Sequence, residues 1–275
     1  MKTRLKKRVL WIVVSFIIAF ALIIILQKFF AHCEGFFTPD YPQADLSEES
    51  DYELIFLQTG LGRSAADKLI TQGEFQVILD IQDTFFRSAD VECVSLLGWF
   101  TREDRIEGKV AIPLVDLQPG DIILTLSTHS LGWRHGHAGL VLDEDSVLEC
   151  VTLGKDSVIV DASHWNTYSN FAVLRVKQSD EELREEVAFY AKENLCGIPY
   201  HLSSGFIGEK APELDAPQFG MHCSYLVWYA WNHFGYDLDS DGGRLVTSYD
   251  LLHSGYLEVV QIYGMDPRVF ILDGN

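Results

Sequence analysis

A cysteine, a histidine and a glutamate carry the clearest chemical potential in this chain. Cys223 lies in the run Gly220-Met221-His222-Cys223-Ser224-Tyr225-Leu226, where the pattern predicts a helix that starts at the cysteine. A thiol at a helix N-terminus feels the positive end of the helix dipole, which favours the thiolate. His137 opens the strand-like run His137-Ala138-Gly139-Leu140-Val141-Leu142. An imidazole on a rigid strand is the proton partner that such a thiolate needs. Glu149 follows in Val147-Leu148-Glu149-Cys150, beyond the turn Asp143-Glu144-Asp145-Ser146. A strand–turn–strand unit brings His137 and Glu149 to the same end of neighbouring strands, where the acid can accept the second ring N–H and hold the tautomer. Nucleophile, base and orienting acid are the parts of a cysteine hydrolase. Each residue also has a plain structural reading: a hydrogen-bonded strand histidine, a solvent-facing glutamate, a packed cysteine. The expectation rests on their joint occurrence.

The residues beside these three are candidates for substrate contact. Trp133, Arg134 and His135 directly precede the base, and His222 precedes the nucleophile. His135 and His137 form an HxH pair, which on one strand presents both rings to one face. No third ligand accompanies the pair, and zinc usually needs three or four, so neither a metal nor a cofactor is expected. The five cysteines are Cys33, Cys93, Cys150, Cys196 and Cys223. An odd count leaves at least one thiol free unless another chain pairs with it. No CxxC spacing occurs, and the pairing of the other four stays open.

The elements that must position these residues can be read coarsely. Residues 34–49 hold two prolines and no periodicity, as a linker does. Residues 50–110 read as mainly helical: Ser50-Asp51-Tyr52-Glu53 offers a capping box, and Ser64 to Ile70 and Glu74 to Phe86 place apolar residues at helical spacing. From Leu114 onward the runs 121–127, 137–142, 147–152, 157–161 and 171–176 are short and aliphatic with turn residues between them, as strands are. A helix capped by Ser179 and closed by Gly197 follows, then helices from Cys223 and from Thr247. Leu257–Tyr263 and Val269–Leu272 read as late strands. Strands with segregated helices predict an α+β fold. The organisation expected is an N-terminal anchor over 1–32, a linker and helical accessory segment over 33–110, and a catalytic domain over 111–275.

Five basic residues (Lys2, Arg4, Lys6, Lys7, Arg8) precede an uncharged run from Val9 to Leu26. As a helix this run would be about 27 Å long, which predicts a signal anchor, single-pass, with the following residues outside the cytoplasm. A cleaved signal peptide is the alternative reading. Six of the 21 Lys and Arg fall within residues 1–28, which leaves 15 bases against 40 Asp and Glu in the rest. Such an acidic body repels nucleic acid and anionic membrane, so no nucleic-acid partner is expected, and membrane association is expected only through the first helix.

The runs Gln118-Pro119-Gly120-Asp121-Ile122-Ile123-Leu124, His137-Ala138-Gly139-Leu140-Val141-Leu142, Val147-Leu148-Glu149 and His222-Cys223-Ser224-Tyr225-Leu226-Val227 together resemble the permuted papain-fold amidases of the YiiX/YaeF type. These are circularly permuted relatives of the NlpC-type cell-wall peptidases, and the wider group includes lecithin retinol acyltransferase. The resemblance covers roughly residues 114–275, and Tyr225 stands where the family commonly has an acid. It implies a permuted papain-like domain with His137 as base, Glu149 as its orienting acid and Cys223 as nucleophile. With the expected topology, the substrate would be a cell-envelope peptide or acyl group. Two alternatives remain: an acyltransferase using the same triad, and a non-catalytic envelope-binding module. Oligomeric state is not legible.

Overall fold

A computed structural model of the chain describes residues 2–30, 36–97, 101–107, 112–130, 132–216 and 219–272. In chain order the elements are α1 (Lys2–Phe30), α2 (Tyr52–Thr59), α3 (Arg63–Thr71), α4 (Phe75–Phe85), β1 (Val91–Leu97), β2 (Thr101–Ile106), β3 (Ile122–Thr125), β4 (Thr128–Ser130), β5 (Trp133–Arg134), β6 (His137–Asp143), β7 (Ser146–Glu149) and β8 (Val158–Asp161). A 3-10 helix (Ala162–Thr167) then leads to β9 (Phe171–Val176), α5 (Glu181–Asn194), α6 (Cys223–His233), α7 (Ser248–Leu252), β10 (Leu257–Tyr263) and α8 (Pro267–Leu272).

Six strands form one sheet in the order β10-β9-β3-β6-β7-β8, and four form another in the order β1-β2-β4-β5. Every pairing is antiparallel. The six-stranded sheet is buried on both sides, because its central strands are apolar at consecutive positions and not alternately. Ile122, Leu124, Ala138, Leu140, Leu148, Ala172 and Leu174 pack toward one side, with Leu226, Trp231 and Val187 of α6 and α5. Ile123, Val141, Val147, Val173 and Val260 pack toward the other, with Ile55, Ala65, Leu69, Ile78, Ile81 and Phe85 of α2–α4. Helices and strands segregate along the chain, so the architecture is α+β.

A buried ion network pins the start of β3. Arg175 of β9 donates to Asp121 through Nε (2.8 Å) and Nη2 (2.7 Å), and to Asp116 through Nη1 (2.9 Å). Asp121 also accepts from the backbone N–H of Gln118 at 2.9 Å, which closes the turn before the strand.

Several expectations need correction. Residues 2–30 do form a helix, but among the described residues no helix is long and apolar enough to cross a membrane. The single-pass anchor over 1–32, and the extracytoplasmic placement that depended on it, are therefore not supported. Cys33 lies outside the described residues. Val91–Leu97 and Thr101–Ile106, read within a helical segment, form the β1–β2 pair instead. Val269–Leu272, read as a strand, belongs to α8, because Pro267 occupies its first position and Asp266 accepts from the N–H of Arg268 at 3.0 Å. Two caps shift by one residue. Asp180, not Ser179, caps α5 by accepting from the N–H of Leu183, while Ser179 Oγ donates to the Val176 carbonyl. Asp51, not Ser50, caps α2.

Candidate active site

The site is assembled at the start of β6, the end of β7 and the first turn of α6. Gly136 precedes β6 with φ +71°, a backbone conformation that disfavours any side chain. A Cβ there would also meet the Thr125 carbonyl at 2.6 Å. The turn it makes ends β5 and starts β6 at His137, so His135 and His137 do not share a strand as the HxH spacing had suggested.

β6 and β7 form a hairpin in which Gly139 stands opposite Glu149. Directly paired residues share a face, and so do residues two apart on one strand. Glu149 therefore projects on the same side as His137, diagonally across a residue with no side chain. His137 Nε2 donates to Glu149 Oε2 at 3.0 Å, and both side chains are buried. The imidazole lies parallel to the Trp165 indole, with centroids 5.2 Å apart and planes 4° from parallel. A Cβ on Gly139 would meet Val147 Cγ1 at 2.5 Å and Trp165 Cζ2 at 3.2 Å. The glycine of the His-x-Gly run thus leaves the space in which this indole sits beneath the His137 ring.

Cys223 is the first residue of α6, and His222 caps that helix, its Nδ1 accepting from the N–H of Tyr225. With Nε2 of His137 committed to Glu149, Nδ1 is the ring nitrogen left for Cys223, and the two groups lie close enough for each to shift the other's pKa. Burial alone raises the Cys223 pKa. The nearness of His137, and then of His222, overcomes it and carries the thiol well below its ordinary value. Burial likewise works against charge on His137, yet the nearby Cys223 and the hydrogen-bonded Glu149 raise its pKa. For Glu149, burial is outweighed by hydrogen bonds from His137 and His164, which hold the carboxylate down to about 2. The charge state that this geometry favours is thiolate, imidazolium, carboxylate. Cys150 shows the contrast: burial, then the nearby Cys223, push its thiol up to about 12. Among the described residues Cys93, Cys150, Cys196 and Cys223 are all free thiols.

The flanking candidates divide. His135 lies close enough to Cys223 to feel its charge, and burial lowers its pKa; its Nδ1 donates to the Gly136 carbonyl (2.8 Å), leaving Nε2 to accept from Ser130 Oγ (2.9 Å). His222 lies against Cys223, with its Nε2 buried and making no hydrogen bond of good geometry among the described residues. Trp133 is exposed. Arg134 turns away to pair with Asp104 at 2.8 Å.

No family model matches this chain, and no curated protein does either. A weak structural neighbour is the metalloprotein YiiX from Escherichia coli O157:H7, with 18% identity and a TM-score of 0.39, over 52% of this chain and 96% of YiiX. An overlap of that quality assigns no role to any residue, so the site stands on its own geometry.

Sequence reading missed two residues, His164 and Trp165, both in the 3-10 helix after β8. His164 Nε2 lies 3.4 Å from the same Glu149 oxygen that His137 uses. Its Nδ1 donates to the Asp161 carbonyl at 2.8 Å, so it can donate to Glu149 only as an imidazolium. The local signal is slight: Asp161 caps the turn by accepting from the N–H of Ser163, and nothing in the run reveals that it folds back over β6.

Proposed function

We propose that this protein is a cysteine hydrolase of permuted papain-like design that cleaves an amide or ester bond through a Cys223–His137–Glu149 triad. The observation that carries the reading is the buried pair of His137 and Glu149 at 3.0 Å, set beside the half-buried Cys223 at the first turn of α6, close enough for His137 and Cys223 to shift one another's pKa. The Cys223 thiolate attacks the carbonyl carbon. The developing oxyanion is held by the N–H of Cys223, at the positive end of α6, and by a neighbouring donor for which His222 is the candidate. His137, as imidazolium, passes its proton to the leaving nitrogen or oxygen. A water molecule then attacks the acyl-enzyme, giving its proton to His137, and expels the thiolate. Glu149 keeps the ring oriented and stabilises its charge throughout. The chemistry calls for no cofactor. A cell-envelope substrate depends on a membrane-crossing anchor, and among the described residues no helix is long and apolar enough to be one, so the reading reaches a peptide or acyl carbonyl. An acyltransferase differs only in the acceptor that replaces water, and product analysis with an added alcohol or amine separates the two.

The test is labelling with an electrophilic acyl or thiol probe, followed by turnover on a panel of peptide and acyl esters. Cys223→Ser should abolish both, His137→Ala should come close, and Glu149→Gln should lower turnover by about 10–10³-fold. Uniform slow labelling of all cysteines, with turnover indifferent to Cys223→Ser, would favour a non-catalytic binding module.

A further inference from the structure

The four-stranded sheet carries a second cluster of chemistry-bearing side chains, separate from the triad. Cys93 in β1 stands directly opposite Asp104 in β2. His129 in β4 is paired with Arg102, two residues from Asp104, and with Arg134 in β5. Paired residues and residues two apart share a face, so Cys93, Asp104, His129 and Arg134 form a row across one face of the sheet. Asp104 and His129 are buried, and Cys93 is half-buried.

The three potential ligand atoms converge. Cys93 Sγ lies 3.7 Å from His129 Nε2, and Asp104 Oδ1 lies 3.3 Å from that same nitrogen. All three atoms fall within 4.8 Å of one another. One ring nitrogen carries at most one hydrogen, so it cannot give each neighbour a two-centre hydrogen bond of its own. The same geometry excludes a second catalytic triad, in which the two ring nitrogens must face different partners. A tetrahedral zinc ion satisfies all three lone pairs together: its bond lengths set sulfur and nitrogen about 3.6 Å apart, and nitrogen and oxygen about 3.4 Å apart. Both spacings match those observed. Arg134 Nη1 donates to the other carboxylate oxygen, Oδ2, at 2.8 Å, which fixes the carboxylate with Oδ1 toward the cluster, as outer-shell partners of a ligating carboxylate do. The charges of the thiolate and the carboxylate offset the cation beside that guanidinium.

We propose that Cys93, Asp104 and His129 form a binding site for a zinc-class divalent cation, held by thiolate, carboxylate and imidazole, with a fourth position for water. Binding releases the Cys93 thiol proton to solvent, and the ring hydrogen of His129 resides on Nδ1. The site is independent of the hydrolase reading.

The test uses the full chain in a non-thiol reductant, titrated with cobalt(II) as a spectroscopic stand-in for zinc and then with zinc itself. One equivalent of cobalt should give a thiolate-to-cobalt charge-transfer band, which zinc displaces. Cys223→Ser should keep the band. Cys93→Ser should lose it, and His129→Ala should weaken cobalt binding at least tenfold, both with unchanged far-ultraviolet circular dichroism. Asp104→Asn, which retains shape, serves as a second ligand variant should His129→Ala fail to fold, and should also weaken binding at least tenfold. Absence of a band, or a band that survives Cys93→Ser and disappears in Cys223→Ser, would overturn the proposal; in the second case the metal would lie at the triad.

Discussion

At the residue scale, the proposed roles of Cys223 and His137 separate two reactions that would share one nucleophile. Alkylation needs only the thiolate, whereas turnover also needs a protonated His137. The Cys223 pKa is lowered and that of His137 is raised, to about 10. The rate of alkylation by iodoacetamide at Cys223 should therefore stay high below pH 7 and persist above pH 10, while turnover falls as pH rises through about 10. In His137→Ala the thiol returns toward an ordinary pKa of about 8.5, and alkylation should drop about tenfold per pH unit below it. Rate measurements with peptide mapping check both limbs, and an ordinary thiol profile in the unsubstituted protein would refute the ion pair. Cys150 should remain unlabelled throughout, since burial stabilises its neutral form.

At the element scale, the site depends on a hairpin and on a ring packed beneath it. Gly139→Ala adds one methyl group where Val147 and Trp165 already stand. Such overpacking typically costs about 1–3 kcal/mol. A displacement of about 1 Å at His137 would lower kcat/KM by about 10²-fold. Denaturant unfolding and kinetics together check the prediction, because a loss of stability without a loss of kcat/KM would show that the indole does not position the base.

At the scale of the whole molecule, the six-stranded sheet needs its helical cover on both sides. The α2–α3 junction is fastened to β10: the Gly62 N–H donates to Val260 O at 2.8 Å, and the Ile262 N–H donates to Gly60 O at 2.8 Å. A Cβ on Gly62 would fall 1.9 Å from Val259 O, so the backbones approach too closely for any other residue. A chain without residues 36–107 would expose Ile123, Val141, Val147, Val173 and Val260. Exposing each of these side chains costs about 1.5–3 kcal/mol, and together they approach the whole stability of a typical domain, about 5–15 kcal/mol. Such a chain should bind a hydrophobic dye and lack a cooperative melting transition. A cooperative melt near that of the full chain would show that residues 108–275 fold without that cover.

The sequence by itself determined what depends on near neighbours. The run from Cys223 starts a helix because His222 caps it and apolar residues follow. The run from His137 is a strand because it is short, aliphatic and preceded by a glycine turn. β9 and β10 occupy the residues read as strands. The α+β class follows from the same local patterns. Only the tertiary structure decided which of these elements meet. Glu149 is the clearest case. The hairpin turn pairs Asp143 with Ser146; continued without interruption, that register would set Glu149 against Leu140 and point it away from His137. A one-residue bulge between Val141 and Asp143 shifts the pairing to Gly139, and because side chains alternate with a period of two, that single shift moves the carboxylate to the face of the base. His164 and Trp165 reach the site only because β8 pairs with β7 and returns their turn over β6. Cys93, Asp104 and His129 meet only through cross-strand pairing of segments 25 and 36 residues apart in sequence. Periodicity encodes the face of an element, whereas register and packing, which depend on residues far along the chain, decide what that face meets.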